Sequence, residues 1–383
     1  MRLPPRGGAR SRRLGSSVAM IIGGVAAVFL VDCAHTSARQ PKAAALQAAG
    51  AAALARGDLD RAAGQFALAL EYEPRLAEAE NGLGLVALAY GDRELAEHHF
   101  RAALSIDEDL AEAHLNLGGL RLARHQLEDA LDCFRAALAI DPGYAAARLA
   151  VGETLLRLGR FEDARWELAK LCATEPGSAP AHAAHALVLV HLDRIALAET
   201  EARRALALDP ALPAAHRARG ELARRRGDLP GAESEWRRVV QALPTSAEDW
   251  LALGVVLAQQ RRWMEAGGVL DRAALLGPEL AEVAFAQAFV ELGRDQPAAA
   301  MTAARRALEL RLPYPQARLL LAEAQYRAGD AVAGRATLQR FIDEAPPEMA
   351  AEKAQAERAQ RSMGGAMPGG IPGAHTGAPW PVR

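Results

Sequence analysis

Between positions 43 and 348, small residues return every 34 positions without an insertion. One series is Gly50, Gly84, Gly118, Gly152, Ala186, Gly220, Gly254, Ala288 and Ala322. A second is Ala62, Ala96, Ala130, Ala164, Ala198, Ala232, Ala266, Ala300 and Gly334. Nothing larger than alanine occurs in either. A third series, mostly large and apolar, is Phe66, Phe100, Phe134, Leu168, Ala202, Trp236, Leu270, Ala304 and Leu338. A period of this length marks an array of two-helix units that bury their apolar faces on neighbours. It excludes one large central core. We number nine units, repeats 1 to 9, with positions 1 to 34 in each. The three series are then positions 8, 20 and 24.

Proline keeps the same phase. Position 32 is proline in seven repeats, from Pro74 to Pro346, with Glu108 and Leu312 as the exceptions. Pro230 and Pro297 fall at the start of second helices. Proline is tolerated in a helix's first turn and costs about 3 kcal/mol inside one. Gly57–Asp58, Gly91–Asp92, Gly227–Asp228 and Gly329–Asp330 sit where paired helices would meet. There glycine ends the first helix and aspartate caps the second. The fold class is therefore all-α.

The segments outside the array read differently. Residues 1–38 form a leader: Arg2, Arg6, Arg10, Arg12 and Arg13, no acid before an apolar run over 18–31, then Cys33. At about 1.5 Å per residue the run is too short for a hydrocarbon core of about 30 Å, so it reads as a secretory signal. Leu30, Val31 and Cys33 resemble the lipobox of bacterial lipoproteins, although Asp32 departs from that pattern. The resemblance implies lipidation at Cys33 and an outer-membrane site facing the periplasm. Ordinary cleavage after Ala38, giving a soluble periplasmic protein, and an uncleaved inner-membrane anchor stay open. Past the array, 349–362 reads as a polar capping helix, and 363–383, rich in Gly and Pro, as disordered.

Over about four-fifths of its length the sequence resembles the tetratricopeptide repeat (TPR) family, on the three series and the proline map together. The resemblance implies a right-handed superhelix whose first helices line a concave groove through positions 5, 9 and 12. The groove residues are then Leu85, Leu88, Leu115, Leu122, Leu149, Leu156, Leu187, Leu251, Val255, Phe285, Phe289 and Leu292. Repeat 6 interrupts them with Arg217, Glu221 and Arg224, which read as an exposed polar belt. The lysine and asparagine pattern of TPR clamps that grip a C-terminal carboxylate is not met, since the only lysines are Lys42, Lys170 and Lys353. An apolar helix or peptide of another protein is the expected occupant.

Other function classes find little support. A net charge of -2 gives no global field for nucleic acid. No nucleophile triad, phosphate-cradling glycine loop or paired-cysteine metal spacing occurs, so neither catalysis, cofactor, small-molecule substrate nor metal is expected. His182 and His185 are spaced for one ion, but His191 lies about 180° round the helix from His182, which favours structural histidines. Cys133 and Cys172 lie on second helices of adjacent repeats and read as free thiols or a disulfide. The expected function is a protein-binding scaffold in a bacterial envelope. It resembles TPR lipoproteins of pilus assembly and myxobacterial gliding motility. A periplasmic assembly chaperone and a non-catalytic subunit of a glycosyl-processing enzyme are the alternatives.

Overall fold

The computed structural model describes residues 41–362, which contain nineteen α-helices, one 3-10 turn and no strand. The all-α repeat class follows. Expectations for 1–38, including Cys33, and for 363–383 lie outside the described residues. The chain divides into two compact units, ending at Leu192 and beginning at Asp193.

The first unit holds α1 (Pro41–Ala55), α2 (Leu59–Tyr72), α3 (Ala77–Tyr90), α4 (Arg93–Ile106), α5 (Ala111–Ala123), α6 (Leu127–Ile140), α7 (Ala145–Arg157), α8 (Phe161–Thr174) and α9 (Ala179–His191). The second holds α10 (Ile195–Leu208), α11 (Pro213–Arg225), α12 (Leu229–Ala242), α13 (Ala247–Gln259), α14 (Trp263–Leu276), α15 (Ala281–Gly293), α16 (Pro297–Leu310), α17 (Pro315–Arg327), α18 (Ala331–Glu344) and α19 (Ala350–Ser362).

The turn inside each helix pair has one geometry throughout. Position 15 is left-handed in all nine repeats: Gly57, Gly91, Gly159, Gly227 and Gly329, but also His125, Asp193, Arg261 and Asp295. The helix end explains this. In repeat 1 the Gly57 N–H donates to Leu54 O and the Asp58 N–H to Ala53 O, which closes the last turn. His125 and Gln126 repeat the pattern on Leu122 O and Arg121 O. These bonds force the backbone whatever the side chain. Asp92, Asp228 and Asp330 then cap the second helix, accepting from Leu95, Gly231 and Ala333 N–H at 2.9–3.0 Å.

Positions 8 and 24 meet inside each pair that has glycine at position 8. A Cβ placed on Gly84, Gly118 or Gly152 would lie 2.4–2.5 Å from side-chain atoms of Phe100, Phe134 or Leu168. In the second unit Gly220 faces Trp236 and Gly254 faces Leu270 in the same way. Phe66 is also approached from the next repeat, by Gly82. The knob therefore fills the space that the absent side chain leaves, as close packing demands. At the C-terminal end, Met349, Ala356 and Ala359 are buried with Leu338, Phe341 and Ile342.

Tyr314 is one local exception to good pairing. Its ring is 2% exposed, tilted on Phe285 at a centroid distance of 5.3 Å, and the Arg311 guanidinium lies 5.0 Å from it. Its buried hydroxyl has no hydrogen-bond partner among the described residues, and burial pushes its pKa up. A buried hydroxyl without a protein partner costs about 1–3 kcal/mol. Tyr314→Phe is therefore expected to leave the thermal midpoint unchanged or raise it, whereas Tyr314→Ala should lower it sharply through the lost ring. Thermal unfolding of the two variants side by side checks this, and a clear loss of stability in Tyr314→Phe would refute it.

Candidate protein-binding face

In the first unit, α3, α5, α7 and α9 carry Leu88, Leu115, Leu122, Leu149, Leu156 and Leu187, all half-buried. Leu115, Leu122, Leu149 and Leu156 rest on the core that contains Phe134, Leu155 and Leu168, and Leu88 rests on the core of Phe66 and Phe100. Each leucine has one flank packed and another at the surface.

Five expected groove residues are not presented at all. Leu85, Glu221, Val255, Phe285 and Leu292 are 1–5% exposed. The reason is that first helices of neighbouring repeats touch each other within each unit. A three-position arc on one helix therefore has a flank that its neighbour covers. Leu85 lies in the core of Phe66, and Phe285 and Leu292 lie in the core of Tyr314. In the second unit the surface is left to half-buried Leu251 and Phe289, the latter edge-on to Trp263 at 5.9 Å.

The belt of repeat 6 is also corrected. Arg217 donates two hydrogen bonds, of 2.7 and 2.6 Å, to Asp249 of the next repeat. Arg224 donates two, of 2.8 and 2.6 Å, to Glu221, and Arg225 adds one of 3.2 Å. Asp249 and Glu221 are each 3% exposed. These arginines neutralise buried carboxylates and are not loose charges held out to a partner.

One recurrent side chain escaped the sequence reading. At position 4, a donor reaches back to the carbonyl of position 32 in the preceding repeat. The pairs are His114 Nε2 to Glu108 O at 3.0 Å, Arg148 to Pro142 O at 2.5 Å, His182 Nε2 to Pro176 O at 3.2 Å, His216 Nε2 to Pro210 O at 3.0 Å and Trp250 Nε1 to Pro244 O at 3.0 Å. A carbonyl only accepts, so each nitrogen must carry the proton. The bond pins the boundary loop to the first helix that follows it. The signal was five consecutive N–H bearing residues at one position, hidden because three chemical types share it. His182, 1% exposed, has this structural part. Cys133 and Cys172 are both half-buried and are not joined in a disulfide, and burial raises the Cys133 pKa.

Two surface depressions, of about 490 and 460 Å³, lie elsewhere. They are lined by residues of α4 such as Glu97 and Arg101, and of α18 such as Val332 and Arg335, so neither belongs to the first-helix face.

Tetratricopeptide repeat models match residues 81–145, 183–247 and 283–350, and a second such model matches 121–188. The chain belongs to the tetratricopeptide repeat family. Proteins of this family bind other proteins or peptides. No curated protein matches the chain. Among solved structures, a chain of the APC/C hetero-tetramer Cut9-Hcn1 is 18% identical over 73% of this TPR chain and 55% of its own length, with a TM-score of 0.59. The present chain thus spans about half of that relative. A TPR protein from Parabacteroides merdae is 16% identical over 64% of this chain and 97% of its own, with a TM-score of 0.50. Pseudomonas aeruginosa PilF is 20% identical over 57% and 98%, with a TM-score of 0.49. At these identities the likeness is one of fold.

Proposed function

We propose that this TPR protein is a non-catalytic scaffold of a bacterial cell envelope, anchored by lipid at Cys33. On this reading it takes an apolar helix or peptide of a partner and serves the assembly of an outer-membrane, pilus or motility machine. The observation that carries the binding reading is the row of half-buried leucines on α3, α5, α7 and α9. Six leucines, each packed on one flank, form a firm apolar surface, and such grooves accept amphipathic segments through side chains at helical spacing. The envelope reading rests on the basic and apolar leader that ends at Cys33. Among the described residues no helix is long and apolar enough to cross a membrane.

A photo-crosslinking residue at Leu122 or Leu156 is expected to trap a defined partner in intact envelopes. The same residue at Val332, which is 83% exposed on a second helix, is expected not to. Equal trapping from both surfaces would refute the face. Labelling with a palmitate analogue should mark the wild type and not Cys33→Ser, and an unlabelled wild type would remove the anchor while leaving the face to be judged by its own arm.

A further inference from the structure

The second helices carry opposite charges on one face in the two units. Positions 18, 22 and 26 are spaced by four and share a helix face. In repeats 1 to 4, position 18 is Asp60, Glu94, Glu128 and Glu162, all exposed. In repeats 5 to 9 it carries no charge, being Ala196, Pro230, Met264, Ala298 and Val332. Position 26 does the reverse. It is Leu68, Ala102 and Ala136 in repeats 1 to 3 and Lys170 in repeat 4. From repeat 5 on it is Arg204, Arg238, Arg272, Arg306 and Arg340, all exposed. A first-turn acid suits the helix dipole in any repeat, so the dipole does not explain acids in every repeat of one unit and in none of the other. A mid-helix arginine has no such local reason to recur. Residues 41–192 carry 14 Lys and Arg against 22 Asp and Glu, while 193–362 carry 24 of each.

We propose that these faces dock two copies of this chain, the first unit of one on the second unit of the other, with their second helices antiparallel. Reversing the helices sets position 18 against position 26, and the two rows are equally far apart on both copies, eight residues or about 12 Å. Laying one face on the other in this way keeps the repeat order. The four acids of one copy therefore meet Arg204, Arg238, Arg272 and Arg306 of the other, in that order. Both rows advance by one 34-residue unit, so they stay in register. The other row is mostly apolar on both sides. Leu68, 40% exposed, comes to Ala196, and Met264, 71% exposed, comes to Ala136. Between the rows, position 22 of the second unit is small, with Thr200, Ser234, Gly268 and Thr302. Exposed Trp166 thus has room opposite Thr302. Repeat 9 is left out, because Gln360 of α19 stands beside Ala336 on its outer face and donates to Gln339 at 2.7 Å. Arg340 and Val332 lie outside the pairing.

The existing partners of these charges do not prevent the contact. Asp60 accepts from the Tyr90 hydroxyl, Glu162 meets Arg165 at 2.7 Å, and Arg306 reaches Glu309 at 3.4 Å. Exposed pairs of this kind are weak and open readily to water. The new pairs are weak singly as well, so the contact depends on four in register beside an apolar row. Association is therefore expected to be reversible and to weaken with salt. Each contact leaves one acidic row and one arginine row unused, so assembly is expected to pass two copies. Only second helices are used, and the leucine face on the first helices stays open to its own partner.

The test is sedimentation velocity of the full chain over a range of concentrations, at low and at high salt. The mass of the wild type is expected to rise with concentration at low salt and to return to that of one copy at high salt. Glu94→Arg/Glu128→Arg and Arg238→Glu/Arg272→Glu should each sediment as single copies at low salt. An equimolar mixture of the two should assemble again, because each supplies the row that the other has lost, and this recovery also shows that both are folded. Arg340→Glu should assemble like the wild type. A wild type that stays single at every concentration would overturn the pairing, as would a mixture that stays apart. Loss of assembly in Arg340→Glu would overturn the register. A wild type that stays single but floats with phosphatidylglycerol vesicles would give the arginine row to an anionic lipid surface instead, and the pairing would fall.

Discussion

Phe134→Ala is expected to lower the stability of repeat 3 and its neighbours by about 3–5 kcal/mol, the usual range for a buried phenylalanine. Gly118→Ala is expected to lower it by about 1–3 kcal/mol, because the new Cβ would lie 2.5 Å from the ring. Helix propensity alone says the opposite, favouring alanine by about 1 kcal/mol. The double variant decides between the two effects. With the ring gone, the Cβ enters vacated space, so Gly118→Ala should become neutral or stabilising in that background. Positions in contact commonly couple by about 0.5–3 kcal/mol, and the cycle measures this one. An array of repeats does not unfold in one step, so the readout is hydrogen exchange in α5 and α6. A Gly118→Ala variant more protected than the wild type would sink the packing account.

The nine units show how that pairing was written and why only part of it was legible. Size at positions 8, 20 and 24 repeats along the chain, so the array and its all-α class could be read directly. That position 8 faces position 24 could have been read too. Glycine at 8 accompanies Phe, Phe, Phe, Leu, Trp and Leu at 24, while Ala186 and Ala288 accompany Ala202 and Ala304; repeat 9, with Ala322 and Leu338, departs from this. Features that use different residue types for one task were not legible. The left-handed turn accepts His125 and Arg261 because the helix-ending bonds set it, and the loop-pinning donor is by turns histidine, arginine and tryptophan. Burial within the first-helix arc was not legible either. Phe285 and Phe289 share a helix and an apolar character, yet Phe285 alone is buried, because Tyr314 of the next boundary covers it.

The charged belt was misread for the same reason: the partner of Arg217 lies 32 residues on, and nothing local marks Asp249 as buried. Arg217→Ser is accordingly expected to lower stability by about 2–4 kcal/mol. Removing one member of a buried pair typically costs about 3–5 kcal/mol, and solvent at Arg217, whose side chain is 31% exposed, argues for a value below the top of that range. The carboxylate left behind is 4% exposed and loses the two hydrogen bonds that Arg217 gave it, which is a cost to the fold. Arg217→Met with Asp249→Leu should recover most of the loss, since replacing both partners with apolar residues of similar volume is often neutral. Arg224→Ser provides the contrast. Glu221 would still have Arg225 at 3.2 Å, so its loss should be smaller than that of Arg217→Ser. A belt that existed to steer a partner would behave otherwise: both single variants would melt with the wild type, and only the salt dependence of partner association would change. Thermal midpoints of the three variants separate these cases, and equal midpoints for Arg217→Ser and the wild type would return the belt to the surface.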